Sequence, residues 1–195
     1  AVSNGERLDS RVAFEVAGVA RSDEAYGPQR LVFALEGLDV AAWSNLTESL
    51  SSMQALAITQ ASGGPQQFEQ QMAAMQQVNA AVRDLAAAGF SVGFPELTVT
   101  TPEGVIEGSA RIAHPELTAD QKAEMLMVMQ QLTGKMDLSL PVALAEEYPE
   151  FRLQLAPLIK QGLLVEQGDS LVLDASMKDL VLDVNGVEIP LPPLL

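Results

Sequence analysis

Alternation of apolar and polar residues is the feature of this sequence that most limits what it can fold into. The alternation runs through residues 11–17, and Leu31, Phe33 and Leu35 repeat its two-residue spacing after a turn-rich segment. In the first run the apolar side chains are Val12, Phe14 and Val16. An alternating run predicts a strand with one buried face, and two such runs joined by a turn predict a hairpin. We therefore expect a long antiparallel hairpin near the start of the sequence.

Two further hairpins are predicted by turn chemistry. Residues 97–113 alternate on both sides of Thr101-Pro102-Glu103-Gly104, in which proline at the second position and glycine at the fourth suit a type I turn. Two strands are predicted at Leu180–Val184 and Val187–Ile189, joined by Asn185-Gly186, a pair that favours the tight turn of a two-residue hairpin. A separate strand is predicted over residues 134–140, and short strands flank Gln167-Gly168-Asp169.

Helical spacing of apolar residues predicts the rest of the structure. The first predicted helix begins after Asp39, the second runs from about residue 65 to Gly89, and the third covers residues 119–131 behind Thr118. Shorter helices are predicted at residues 143–147 and 150–161. Hairpins interspersed with helices predict the α+β class, with a curved antiparallel sheet built from long hairpins and amphipathic helices packed on one face. Because no low-complexity linker interrupts the pattern, we expect a single domain over residues 1–195.

The charge and the cysteine count limit the partners and the chemistry. The chain has 26 acidic and 11 basic residues, a formal charge of −15, which repels phosphate backbones, so we expect no nucleic-acid partner. Without cysteine there is no disulfide framework and no thiolate for catalysis or metal binding. No run approaches the roughly 18 apolar residues that span a bilayer. Because the sequence starts without an initiator methionine or a signal-peptide core, we expect a fragment or a processed form.

No group of residues predicts an active site. His114 is the only histidine, and because it precedes Pro115 at a strand end we expect a surface or turn residue. The sequence has no Gly-x-Ser-x-Gly elbow, no phosphate-binding glycine loop and no complete calcium loop. We therefore expect a non-enzymatic protein with no catalytic, cofactor-binding or metal residues. A hydrolase that uses His114 is the rival hypothesis.

Three methionines in the third predicted helix form a candidate contact surface. At 100° per residue Met125, Val128 and Met129 share the stripe that faces the core, whereas Met127 points to the opposite side. Filling of the core accounts for two of the methionines. Methionine adapts to varied apolar partners, so Met125, Met127 and Met129 are our candidates for an apolar contact surface.

A series of short motifs resembles a known bacterial family. In chain order the motifs are Phe94-Pro95-Glu96-Leu97, Thr101-Pro102-Glu103-Gly104, Gly108-Ser109-Ala110, Leu132-Thr133-Gly134, Leu138-Ser139-Leu140-Pro141, Gln161-Gly162-Leu163-Leu164, Gly168-Asp169, Val184-Asn185-Gly186 and Ile189-Pro190. In this order they resemble the C-terminal part of the YdgA-like envelope family, domain of unknown function family nine-four-five, over about residues 85–195. One departure is Asp179-Leu180, which stands where the family commonly has a glycine.

The resemblance implies a setting and no catalytic residues. It implies a longer parent protein anchored in the inner membrane by one N-terminal segment, with a large periplasmic region of which this chain is the last portion. The expected partners are then the rest of the parent chain and a lipid or another envelope protein, whereas this portion itself has no membrane span and no cofactor.

Small residues on the second face of the first hairpin favour a binding function. Ala13, Ala17, Ala34 and Gly37 leave room for another body to pack on that face. Our leading hypothesis is an envelope domain of unknown function that binds an apolar ligand or a protein partner there. Two alternatives stay open. In one, the chain's own helices or the rest of the parent cover this face. In the other, the chain is a structural or assembly module that self-associates through its sheet edges or the Met127 side.

Overall fold

The computed structural model describes residues 2–3, 6–21, 24–59, 65–118, 120–121 and 125–192. The strands in these residues are β1 (Val2–Ser3), β2 (Arg7–Val16), β3 (Val19–Arg21), β4 (Glu24–Tyr26), β5 (Gln29–Asp39), β6 (Phe90–Thr101), β7 (Gly104–His114), β8 (Thr133–Pro141), β9 (Val165–Gln167), β10 (Ser170–Lys178), β11 (Val181–Val184) and β12 (Val187–Pro190). The helices are α1 (Val40–Thr59), α2 (Pro65–Ala87), α3 (Met125–Gln130), α4 (Val142–Glu147) and α5 (Pro149–Lys160).

Ten of the described strands form one open antiparallel sheet. Its order is β1-β2-β5-β6-β7-β8-β10-β11-β12, and β9 pairs with the first residues of β10, while β3 and β4 form a separate two-stranded ribbon. Extra residues in β5 near Gly37 and in β6 near Pro95 interrupt the pairing, and bulges of this kind bend a sheet. The predicted α+β class with a curved, antiparallel sheet is therefore confirmed.

All three predicted hairpins are present. Val12 lies opposite Phe33 in the pairing of β2 with β5, and β6 returns as β7 through the predicted turn at residues 101–104. Asn185 and Gly186 join β11 to β12 with φ of 50° and 85°, the left-handed backbone that Asn-Gly turns adopt.

Helices α4 and α5 pack on one face of the sheet, as the sequence predicts. Ala145 and Leu155 from these helices form a buried cluster with Leu140 of β8 and Leu171 of β10. The two longest helices behave differently, because α1 and α2 pack along each other and make few contacts with the sheet. Asp39 caps α1 as predicted, and its Oδ1 accepts a hydrogen bond of 2.8 Å from the Ala42 N–H.

The third predicted helix is shorter in the structure than the sequence indicates. Residues 120–121 lie in a turn, and the described helix begins at Met125. The Gln121 side chain accepts a hydrogen bond of 3.0 Å from the Thr118 N–H, as in a capping box. The Gln121 N–H itself donates to the Thr118 carbonyl three residues back, which closes a turn instead of an α-helical ring.

Candidate functional site

A row of apolar side chains crosses the middle of the sheet on one side. Val12 of β2 lies opposite Phe33 of β5, whose ring contacts the ring of Phe94 in β6 with centroids 5.6 Å apart. Phe94 lies opposite Ala110 of β7, which in turn lies opposite Met136 of β8. Directly paired residues of neighbouring strands point to the same side of a sheet. We call this side the apolar face.

Parallel rows extend the apolar face toward both ends of the strands. One neighbouring row is formed by Phe14, Leu31, Leu97, Gly108, Leu138 and Leu173. Another is formed by Leu35, Val92, Ile112, Gly134 and Met177. The register thus places the apolar residues of six strands on a common surface.

The helices cover only part of this surface. Nine strands side by side span about 38 Å, at about 4.8 Å per strand, whereas a helix with its side chains is about 10 Å wide. Because α4 and α5 lie over Leu140 of β8 and Leu171 of β10, the surface over β2, β5, β6, β7 and the first half of β8 stays open among the described residues. Six side chains there are 39 to 60% exposed, namely Val12, Phe14, Val16, Phe94, Ile112 and Met136. We call these six residues the open apolar patch.

The size of the open apolar patch is notable for a single chain. Fully covered side chains of this kind bury roughly 150–250 Å² each, so the patch leaves on the order of 500 Å² of apolar surface in contact with water. That lies toward the upper end of the patches found on soluble monomers, and such patches are often functional. At about 25 cal/mol per Å², covering the patch is worth on the order of 10 kcal/mol before the costs of association.

The opposite side of the sheet is the more polar one, and the fully buried Val32 also lies on it. Arg30 forms ion pairs with Glu15 and Glu96 on the two neighbouring strands, and Arg111 contacts Glu36 at 3.1 Å. These pairs are 38 to 62% exposed, so each adds little stability. An apolar ligand on this side would have to displace water from these charged groups, which is unfavourable.

The small residues that suggested a ligand site in the sequence lie on this polar side or border it. Ala13 and Ala34 belong to it, Ala17 follows the end of β2, and Gly37 sits in the bulge of β5 with φ of 68°. A groove of about 320 Å³ does lie there, and Gly93 and Arg111 are among its lining residues. The groove includes Ala34 among its lining residues, whereas the open apolar patch lies on the other face, and a ligand beside the small residues stays a prediction.

His114 is buried, and the prediction of a surface histidine is wrong. The residue is 4% exposed, and its Nδ1 and Nε2 lie 2.7 Å from the carbonyl oxygens of Pro115 and Val128. Its ring stacks on Phe90 with centroids 6.5 Å apart. Because a neutral imidazole carries one N–H and an imidazolium two, at least one nitrogen donates to the main chain. These contacts fasten the end of β7 to α3.

The methionines of α3 lie close to this histidine, at the same end of the sheet. Val128 is 2% exposed and Met129 is partly buried, whereas Met127 is 46% exposed and Leu126 beside it 41%. The side chain of Met125 lies outside the described residues. Met127 and Leu126 thus form a small exposed apolar area of their own, and the contact surface of Met125, Met127 and Met129 stays a prediction.

Comparison with known proteins gives a family. A family model described as a bacterial protein of unknown function (DUF945) matches residues 1–192, which confirms the family resemblance and extends it to the start of the sequence. No curated protein and no solved structure matches the chain. No helix in the described part of the chain is long and apolar enough to cross a membrane.

Proposed function

We propose that this chain, which belongs to the DUF945 family of bacterial proteins of unknown function, is a non-enzymatic domain of the cell envelope that holds an apolar ligand on its sheet. The observation that carries the proposal is the open apolar patch. The ligand class that fits it best is the acyl chain of a lipid. A protein partner on the same surface is the other outcome of the test.

The chemistry of the central row favours an acyl chain. The row from Val12 through Phe33, Phe94 and Ala110 to Met136 contains no side chain that donates a hydrogen bond. It crosses five strands, a length of about 19 Å, whereas the acyl chains of one leaflet reach across about 15 Å of a hydrocarbon core about 30 Å thick. An extended acyl chain can therefore lie along the row without meeting a polar group.

The charge of the protein decides which probe should be used. Because the formal charge is −15, an anionic dye would be repelled for reasons unrelated to the patch. The neutral dye N-phenylnaphthylamine avoids this, and phosphatidylethanolamine, which is zwitterionic, is the matching competitor. We expect the dye to fluoresce on binding and the lipid to displace it.

Phe94→Ser and Ile112→Thr are the test variants, because both residues lie inside the sheet, away from its edges. Loss of the contact made by a ring of this size costs about 2 kcal/mol, so Phe94→Ser should raise the dissociation constant of the dye at least tenfold. Leu153→Ser is the matched control, because Leu153 is an apolar residue of α5 with 75% exposure. Equal loss in the control, or unchanged binding in Phe94→Ser, contradicts the proposal. Dye binding without displacement by lipid favours the protein partner.

A further inference from the structure

Strand β2 has an unpaired outer edge. β1 pairs with its residues Leu8 and Asp9, and beyond them no described residue pairs with that side of the strand. Residues 11–16 are all exposed, and Phe14 is 60% exposed. An edge strand of this kind presents a row of free N–H and C=O groups that can pair with another strand.

We infer that this edge pairs with the β2 edge of a second copy of the chain, antiparallel and centred on Ala13. In that register Arg11 of each copy lies opposite Glu15 of the other, so the two-fold symmetry gives two such pairs. Val12 lies opposite Phe14 in the same way, and Ala13 lies opposite itself. Opposite charges and apolar pairs directly across from each other stabilise neighbouring strands.

The charges of β2 are available for this pairing. Arg11 takes part in none of the ion pairs formed by the described residues, whereas every other arginine on a strand of the main sheet has a carboxylate partner. Glu15 contacts Arg30 on β5, yet its side chain remains 62% exposed, so it can accept a second cation. Self-pairing gives Arg11 the carboxylate partner that the described residues of its own chain do not provide.

Other registers lose these pairs. If the pairing were centred on Val12, Arg11 would lie opposite Ala13, and if it were centred on Phe14, Glu15 would lie opposite Ala13. A pairing centred between two residues would place the apolar face of one copy beside the polar face of the other, because side chains alternate along a strand. The charge pairs and the matching of apolar faces thus both favour the register centred on Ala13.

The other edge of the sheet, β12, is poorly suited to pairing with another strand. β12 has four residues and ends at Pro190, and proline lacks the N–H that strand pairing needs. Pairing of β2 with β12 of another copy, which would propagate into a fibre, is therefore disfavoured. Pairing of β2 with itself closes after two copies, so the expected product is a dimer.

Cysteine cross-linking tests the register directly, because the natural sequence has no cysteine. In Ala13→Cys the two thiols face each other across the two-fold axis, and mild oxidation should give a covalent dimer. Ala17→Cys is the matched control: it is also exposed, but the two copies of position 17 lie about 27 Å apart in this register. Equal cross-linking of the two variants, or none in either, overturns the inference.

A charge exchange separates edge pairing from general apolar adhesion. Arg11→Glu and Glu15→Arg each place two like charges opposite each other, so each variant alone should dimerise about tenfold more weakly. A mixture of the two variants restores opposite charges in the heterodimer, and analytical ultracentrifugation should recover the native affinity. If the mixture stays as weak as its components, or if Arg11→Glu alone dimerises normally, the register is wrong.

A double variant separates this inference from the proposed function. Phe94→Ser weakens dye binding but leaves the edge of β2 unchanged, because Phe94 lies on β6, two strands away in the sheet. Phe94→Ser added to Ala13→Cys should therefore leave the oxidative cross-link intact. Loss of the cross-link in this double variant would show that the copies associate through the open apolar patch instead of the strand edge.

Discussion

Replacement of Arg7 should cost more stability than any other change to an ion pair formed by the described residues. The Arg7 Nη1 lies 2.8, 2.5 and 3.0 Å from the carbonyl oxygens of Gly37, Ala88 and Gly89, and its Nη2 contacts Glu116 at 3.1 Å. These carbonyls belong to the bulge of β5 and to the residues that follow α2. The guanidinium of Arg7 therefore connects β2 and β5 to the residues at the end of α2.

The expected loss of stability follows from the number of protons on the Arg7 Nη1 and from the exposure of the side chains that pair. Nη1 carries two protons, so at most two of the three carbonyls receive a full hydrogen bond at once, and each such bond from a charged donor is worth about 1.5–3 kcal/mol. Because the Arg7 side chain is 31% exposed, the lower value applies, and Arg7→Met should lose about 3 kcal/mol. The Glu116 side chain is 74% exposed, so Glu116→Gln should lose less than about 0.5 kcal/mol.

Urea unfolding followed by circular dichroism measures both changes. With a slope of about 2 kcal/mol per molar urea, Arg7→Met should lower the midpoint by about 1.5 M, and the slope itself should not change. If Glu116→Gln destabilises the chain as much as Arg7→Met does, the ion pair is the main interaction. If Arg7→Met loses less than about 1 kcal/mol, the carbonyl contacts do not stabilise the fold as argued.

Three further predictions rest on the backbone and on one tyrosine. Gly93→Ala should lower the melting temperature by many degrees, because an added Cβ would lie 2.0 Å from the Ala110 carbonyl oxygen and push β6 from β7. Leu180→Gly should change the free energy of unfolding by less than about 1 kcal/mol in urea, although Leu180 is partly buried, because glycine adopts its φ of 60° without the strain of about 1 kcal/mol that leucine carries. The hydrogen bond with Tyr26, followed by desolvation, raises the pKa of Tyr148 to about 12, so one of the two tyrosines should ionise late in an absorbance titration, and Tyr26→Phe should lower that pKa. A raised tyrosine pKa favours folding below pH 10 and loses that contribution as the pH rises toward 12.

The hairpins could be predicted because their information is local. Asn185-Gly186 and Pro102-Glu103-Gly104 determine their turns through the backbone preferences of two or three residues, and alternation then gives the strands on both sides. The burial of His114 could not be predicted in this way. It depends on Phe90 and on the Val128 carbonyl, which are 24 and 14 residues away in sequence and meet the ring only in the folded chain.

The sequence does not predict the open apolar patch, and the reason is geometric. Alternation shows that a strand has an apolar side, but not whether a helix covers it. Helices α1 and α2 are long enough to cover several strands, yet their buried residues include Ala42, Leu46, Ala74 and Ala81, and the two helices pack along each other. The alanines of α2 recur at a spacing of seven residues, which is the signal of a helix-to-helix seam that could have been read from the sequence.

The formal charge of −15 opposes unspecific contacts between the open apolar patches and unpaired strand edges of different copies. Repulsion between two copies acts over about 8 Å at physiological salt, so random encounters of apolar patches are opposed before contact. Close pairing is favoured only where the local charges are complementary, and β2 presents Arg11 and Glu15 at the separation that antiparallel self-pairing requires. The same charge that argues against nucleic acid thus leaves two routes of association open. One is an uncharged ligand on the apolar face, and the other is a second copy at the edge of β2.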